Sequence, residues 1–173
     1  LFRTLEKHLL GEKLRGLTQA GIDDSEPFIK LVQSALQRRK SRAGSALENH
    51  LEKVFTEHGV TYTRTGVTEK NLKPDFILPG IVHYHDATFP QARLTMLASK
   101  STCKDRWRQI LNEAERIPNK HLLTLEPSIS ENQTCEMQAG RVQLVLPRRL
   151  HSTYTPEPQT WLVDAAAFIE LVR

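Results

Sequence analysis

Leu94-Thr95-Met96-Leu97-Ala98-Ser99-Lys100 is an apolar run that ends on a lysine, and it reads as a buried strand. Upstream, Asp75 stands in Lys73-Pro74-Asp75-Phe76 and opens a second short strand, 75–78, bounded by Pro74 and Pro79. Downstream, Glu113 belongs to a helix expected over 102–117 and ended by Pro118. On adjacent strands, Asp75 and Lys100 can meet at one edge of a sheet. Glu113 follows Ile110 on the flank of the helix facing that sheet, and approaches the pair if the helix packs diagonally. Taken singly, a turn aspartate, a strand-end lysine and a helical glutamate have ordinary explanations. Their joint occurrence in this order carries the reading. Two acids and an ammonium are what metal-assisted phosphodiester cleavage needs. Magnesium prefers oxygen ligands and keeps several waters, so one or two carboxylates plus a phosphate hold it. The metal lowers the pKa of a bound water, and a lysine beside it orients or deprotonates that water or offsets developing charge.

Working outward, residues 1 to about 40 read as helical. Phe2, Leu5 and Leu9 recur at helical spacing before Gly11, and a second short segment runs to Gly21. Ser25 then caps a segment with Pro27 in its first turn and Phe28, Leu31, Val32, Ala35 and Leu36 on one face. Arg38-Arg39-Lys40-Ser41-Arg42 closes this region, and a new helix over 43–58 stops at Gly59. From Val60 the period changes to two through Tyr62 and Arg64, the first strand. A polar loop covers 66–72, and a long connection covers 80–93. Further strands are expected at 121–125 and 141–146. A last helix carries Trp161, Ala165, Phe168, Ile169 and Val172. The order of helix, three strands, helix and strand implies an α/β fold.

The chain has 173 residues, room for one ordinary domain with one core. We expect a helical N-terminal extension over 1–36 and the main domain over 37–173. Hydrophobic residues make up 39%, and no run approaches the ~20 apolar residues of a membrane span. The net charge of +4 suits a polyanion partner, although many proteins without one share it. Cys103 and Cys135 form no zinc-site spacing and read as free thiols of a reducing cytosol. The first residue is Leu1 rather than methionine, which fits a fragment with a domain upstream.

At the helix entry, Lys104-Asp105-Arg106 has the donors and acceptor for G·C pairs. Lysine and arginine donate to guanine O6 and N7, and a carboxylate accepts from cytosine N4. A second reading fits the same residues: Thr102 as N-cap with Asp105 at the third helical position, a variant of the capping box. Lys40 and Arg42, with Arg38 and Arg39, either bind phosphates or complement a helix dipole. His85 and Asp86 lie in the connection between the two strands, where such a pair serves hydrogen bonding more often than metal. Trp107 and Trp161 read as core. Glu48 is a surface residue by composition, on a helix beside the active strands.

From about Gln37 onward the chain resembles the C-terminal catalytic domain of the EcoRII-type restriction endonucleases. The resemblance rests on Arg38-Arg39-Lys40-Ser41-Arg42-Ala43-Gly44, Lys73-Pro74-Asp75-Phe76 and Tyr84-His85-Asp86. Above all it rests on the unbroken stretch from Lys100-Ser101-Thr102-Cys103 through Arg106-Trp107 to Asn112-Glu113. It implies a PD-(D/E)xK restriction-endonuclease-like fold, a mixed central sheet flanked by helices. The common motif places an acid two residues before the lysine, where this chain has Ala98. The EcoRII-like branch takes its second acid from the following helix, which corresponds to Glu113. The resemblance implies Asp75, Lys100 and Glu113 as catalytic residues, with Asp75 and Glu113 as ligands of Mg2+. It makes Lys104, Asp105 and Arg106 readers of the CC and GG portions of a site. It places Tyr84 near the active site and Glu48 on the bordering helix. The expected activity is that of a type II restriction endonuclease of the prokaryotic cytoplasm. Such an enzyme cleaves double-stranded DNA as a homodimer at a CCWGG, CCNGG or CCGG site and leaves a 5′-phosphate. Several relatives flip the central bases, and EcoRII carries an N-terminal effector domain. A structure-specific repair or junction nuclease on the same fold, or a DNA-binding module without cleavage, are the competing readings.

Overall fold

The computed structural model describes residues 2–19 and 25–173. The side chains of Phe2, Arg3, Gln19, Lys104 and Asp105 lie outside the described set, as does the expected end of a helical segment at Gly21. The chain divides into two compact units, one through Ser45 and one from Ala46.

In the first unit, helix α1 spans Phe2–Gln19 and continues through Gly11, where a break was expected. Helix α2 spans Glu26–Glu57. The two helices expected on either side of the basic stretch are therefore one. Arg38, Arg39, Lys40 and Arg42 are good helix formers, and only Gly44 opposes continuation, by about 1 kcal/mol. The stretch is also tied down inside its own unit. Arg39 Nε donates to both Glu6 oxygens at 2.9 and 3.0 Å, and Arg42 Nη1 lies 3.7 Å from Glu6 Oε1.

In the second unit, α2 ends in a Schellman arrangement. Val60 N donates to Phe55 O, Gly59 N donates to Thr56 O, and Gly59 takes φ +67°. Six strands follow: β1 Thr63–Arg64, β2 Phe76–Leu78, β3 Thr95–Lys100, β4 Lys120–Thr124, β5 Val142–Leu146 and β6 Val163–Asp164. They lie side by side in chain order. The pairs β1–β2 and β2–β3 are antiparallel, and the pairs from β3 to β6 are parallel. The sheet is therefore mixed. Alternating side chains feed a core on each face. Ile77, Met96, Ala98, Leu122 and Leu144 point to one face, with Trp107, Ile110 and Met137 packed on it. Phe76, Leu97, Leu123 and Val145 point to the other, against Leu51 and Phe55 of α2 and Phe168.

Several elements depart from expectation. The connection over 80–93 contains helix α3, Ile81–His85. The segment after β4 carries helix α4, Glu131–Ala139, which supplies the crossover that parallel strands β4 and β5 need. Its sequence hides it: only Thr134 and Met137 are buried, so no apolar period shows. Short helices α5 (Arg148–His151) and α6 (Pro156–Gln159) follow β5. The last helix, α7, spans Ala165–Val172 and leaves Trp161 outside. Asp164 caps α7 by accepting from Ala167 N at 2.8 Å. The helix expected over 102–117 is a run of 3-10 turns, Lys104–Asn112.

His121 of β4 is buried, its ring 5.1 Å from that of Phe168, and burial pulls its pKa down to about 4. A histidine depressed in the folded state adds stability that is whole above its unfolded pKa of about 6.5. That share is lost as pH falls through the folded value. Urea midpoints should therefore drop between about pH 6.5 and about 4. His121→Leu should flatten that slope; an unchanged slope would contradict the assignment.

Candidate active site

Asp75 immediately precedes β2, and two neighbouring strands grip it. Its carbonyl accepts from Thr65 N at 3.1 Å on the β1 side. Its carboxylate faces β3, because Phe76 pairs with Leu97 and so sets Asp75 beside Ala98 and Ser99. Three donors converge on one oxygen, Oδ2: Ser99 N at 2.7 Å, Lys100 Nζ at 2.8 Å and Ser99 Oγ at 3.4 Å. Both charged side chains are 18% exposed, mostly shielded from water. Such charge-assisted bonds are about twice as strong as neutral ones. With the load on Oδ2, Oδ1 accepts no hydrogen bond from the described residues. The structure thus brings Asp75 and Lys100 into direct contact at one end of the sheet.

Glu113 is not helical, in contrast to expectation. It caps the 104–112 turns in extended geometry, φ −81° and ψ 143°. Ala114 then takes φ +49°, a left-handed conformation that turns the chain sharply. The physical cause lies beneath it. Lys120, 5% exposed, donates from Nζ to three backbone carbonyls, those of Glu113, Ala114 at 3.1 Å and Ile117 at 2.8 Å. A helix ending before Pro118 would leave its last carbonyls without a backbone donor, and Lys120 holds them in the turn instead. Burial pushes the Glu113 carboxyl above its ordinary value; Lys100 pulls it down, Asp75 pushes it up and Lys120 pulls it down. Burial likewise lowers Lys120, opposed by Glu113. Glu113 therefore shares an electrostatic neighbourhood with the Asp75–Lys100 pair.

Tyr84 is buried and braces the same turn. Its hydroxyl donates to Glu69 Oε1 and Oε2 at 2.7 and 2.6 Å and accepts from Arg116 N at 3.2 Å. Arg116 in turn donates to the carbonyls of Tyr84, Asp86 and Phe89. Burial and the Glu69 carboxylate push the Tyr84 phenol up, so it works as a neutral donor.

Other residues sit elsewhere. Glu48 is paired with Arg64, Nη2 to Oε2 at 2.6 Å, while the same guanidinium also holds Glu52 and Asn49. Arg64 pairs with Phe76 in the sheet, so Glu48 flanks the strand that Asp75 opens. His85 Nε2 bonds to Val67 O at 3.0 Å, and Asp86 Oδ1 accepts from Thr88 N and Oγ1. Both serve local bonds. Lys40 and Arg42 belong to the first unit. Arg106 is exposed. Thr102 is not the cap of the 104–112 turns: Cys103 holds that position, with no side-chain cap of its own.

Ser99, Lys120, Glu69 and Arg116 contribute without having been singled out from the sequence. A lysine after Pro118-Asn119 reads as solvated, and nothing local signals its burial. Among the described residues no three His, Cys, Asp or Glu side chains cluster as a metal cage. The donor set here is two carboxylates with unengaged oxygens. That suits an ion that keeps most of its waters.

Two measurements probe this geometry. Glu113 is raised in the folded state, so its contribution to stability is whole below its unfolded pKa and lost as pH rises through the folded value. Glu113→Gln should hold or raise the neutral-pH melting temperature of metal-free protein; a clear fall would contradict the burial argument. Lys120→Met strips the Glu113 and Ile117 carbonyls of their donor, leaving Ala114 O with the Ile117 N–H, and should cost roughly 1–3 kcal/mol in denaturant unfolding. An unaltered midpoint would show the lysine to be dispensable.

The family model described as EcoRII C terminal matches residues 2–169. The chain is 48% identical over 164 residues to the type II restriction enzyme EcoRII of Escherichia coli, covering 93% of this chain and 41% of that protein. It is 30% identical over 111 residues to the type II restriction enzyme SsoII of Shigella sonnei, covering 58% of this chain and 35% of that protein. The chain thus spans about two fifths or less of the length of these relatives. Among solved structures, metal-depleted Ecl18kI in complex with uncleaved, modified DNA superposes with a TM-score of 0.78 at 21% identity, over 99% of this chain and 63% of that one. At that identity the likeness speaks to the fold, the PD-(D/E)xK restriction-endonuclease fold that the sequence implied. The match over residues 2–169 and the identity to EcoRII across nearly the whole chain agree, and the chain belongs to the EcoRII C-terminal family.

Proposed function

We propose that this chain is the catalytic part of a type II restriction endonuclease that hydrolyses double-stranded DNA at a CC…GG site. The observation that carries the reading is the Asp75–Lys100 contact across β2 and β3, with Glu113 in its field. It occurs in a member of a family whose named relatives are type II restriction enzymes. Asp75 Oδ1 and the Glu113 carboxylate are the oxygens that would hold Mg2+. A magnesium ion bound there would acidify an attacking water and neutralise charge on the scissile phosphate. Lys100, fixed by Asp75, orients that water for attack on phosphorus. The P–O3′ bond breaks; O3′ leaves and takes up a proton from solvent as a 3′-hydroxyl, and the phosphate stays as the 5′-phosphate end of the downstream fragment. Ser99 N holds the Asp75 carboxylate in place. Tyr84, through Glu69 and Arg116, keeps the Glu113 turn in register. Glu48 would contribute from the flank of β1 through Arg64. Lys104, Asp105 and Arg106 would read the outer G·C pairs, and Lys40 and Arg42 would meet phosphates. A palindromic site calls for two copies of the chain related by a two-fold axis.

The test is a digest of mapped plasmid DNA with and without Mg2+, followed by end sequencing. Cuts confined to CC…GG sites, with 5′-phosphate ends and only when the ion is present, are expected. Asp75→Ala and Lys100→Ala should each lower the rate by about 100-fold or more while retaining a gel shift. Near-normal turnover in either variant would sink the assignment. Faster cutting of branched or mismatched duplexes would favour a structure-specific nuclease. A gel shift with no turnover would mean a binding module.

A further inference from the structure

Cys103 caps the 104–112 turns and offers no side-chain cap of its own. The acceptor comes from a neighbouring strand end. Cys103 N donates to Glu126 Oε2 at 2.6 Å. Glu126 lies two residues beyond β4, and its own backbone is held in place. Its N–H donates to Thr124 Oγ1 at 3.2 Å, and its carbonyl accepts from the buried Tyr154 hydroxyl at 2.7 Å. Lys100 and Thr124 are paired in the parallel ladder of β3 and β4. The two chain segments that meet at the Cys103–Glu126 bond therefore leave the same end of the sheet from adjacent strands. Cys103 is fully buried, and its thiol, beside Thr124 and Glu126, is pushed up to about 12 by burial. It is a packed anchor rather than a reactive group. Arg106 N then donates to Cys103 O at 2.6 Å, which starts the turns directly from that anchor.

We propose that Glu126 is the positioning residue for the segment Lys104-Asp105-Arg106, and so a determinant of site discrimination. Its carboxylate fixes where this segment leaves the sheet relative to Lys100. This rests on the reading that 104–106 contact base edges. Bidentate contacts need donor–acceptor separations of about 2.7–3.2 Å. An origin that wanders by an ångström weakens the cognate contact more than the non-cognate one. Loss of the anchor then erodes discrimination ahead of chemistry, because Asp75, Lys100 and Glu113 are held by other bonds.

The experiment compares wild-type protein, Arg106→Ala, Glu126→Ala, Glu126→Asp and Glu126→Gln in Mg2+. Cleavage rates are measured on a cognate duplex and on duplexes with one outer base pair exchanged, alongside melting temperatures. Glu126→Ala should cut the cognate-to-exchanged rate ratio by roughly tenfold, within the range one base contact supplies. Glu126→Gln, which keeps a carbonyl oxygen for Cys103 N, should restore most of the ratio. A merely structural role would lower the melting temperature and both rates together and leave the ratio alone. That result overturns the proposal when Arg106→Ala does lose discrimination. If Glu126→Ala does not fold, Glu126→Asp decides, since its carboxylate is one methylene short of Cys103 N; a wild-type ratio there overturns the proposal. If wild-type protein shows no preference among outer pairs, or Arg106→Ala leaves it intact, the base-reading role fails and this inference falls with it.

Discussion

The convergence of Ser99 N and Lys100 Nζ on Asp75 Oδ2 is the constraint on which the site depends. It ties the start of β2 to the end of β3, so it exists in only one register of that antiparallel pair. A slip by one residue would turn Asp75 to the wrong face and send Phe76 and Leu97 into the wrong core. The two hydrophobic cores therefore specify the polar contact. The contact in turn shields a lysine and an aspartate that neither core would accept alone.

The acid proposed as the second ligand is held by different physics. Glu113 is not part of the ladder. It is carried by a turn that Lys120 and the Tyr84–Glu69–Arg116 bonds stitch together from below. Ala98, where the common motif has its acid, is completely buried among the apolar side chains of β3. A carboxylate there would face that core. On the proposed reading, supplying the acid from the turn leaves the strand free to be apolar to within two residues of Lys100.

Much of this was legible beforehand for identifiable reasons. The apolar run into Lys100, the proline-bounded strand after Asp75 and the Gly59 stop all follow from local rules. The resemblance carried by the stretch from Lys100 to Glu113 supplied the fold. What failed was non-local. The 104–112 segment has helical apolar spacing but winds as 3-10 turns, and the chain just after it is held in a turn by Lys120, from a later strand. Helix α4 shows no amphipathic pattern because it buries so little. The continuity of α2 through Arg38–Gly44 is helped by Glu6, which lies more than thirty residues earlier. Lys120 and Glu126 look like surface charges in sequence. Each is recruited by backbone groups that only the folded chain brings near.

Placing Glu113 on a turn rather than a strand separates foldedness from competence. The sheet ladder and the turn are distinct hydrogen-bonded systems, and the smaller can open without the larger. On the proposed reading, an ion held between Asp75 and Glu113 would bridge the two. Its occupancy and the closure of the turn would then be linked equilibria, each favouring the other by mass action. Amide exchange at 113–117 would report on ion binding more sensitively than global unfolding, and substitutions under the turn would tune ion affinity without touching a ligand.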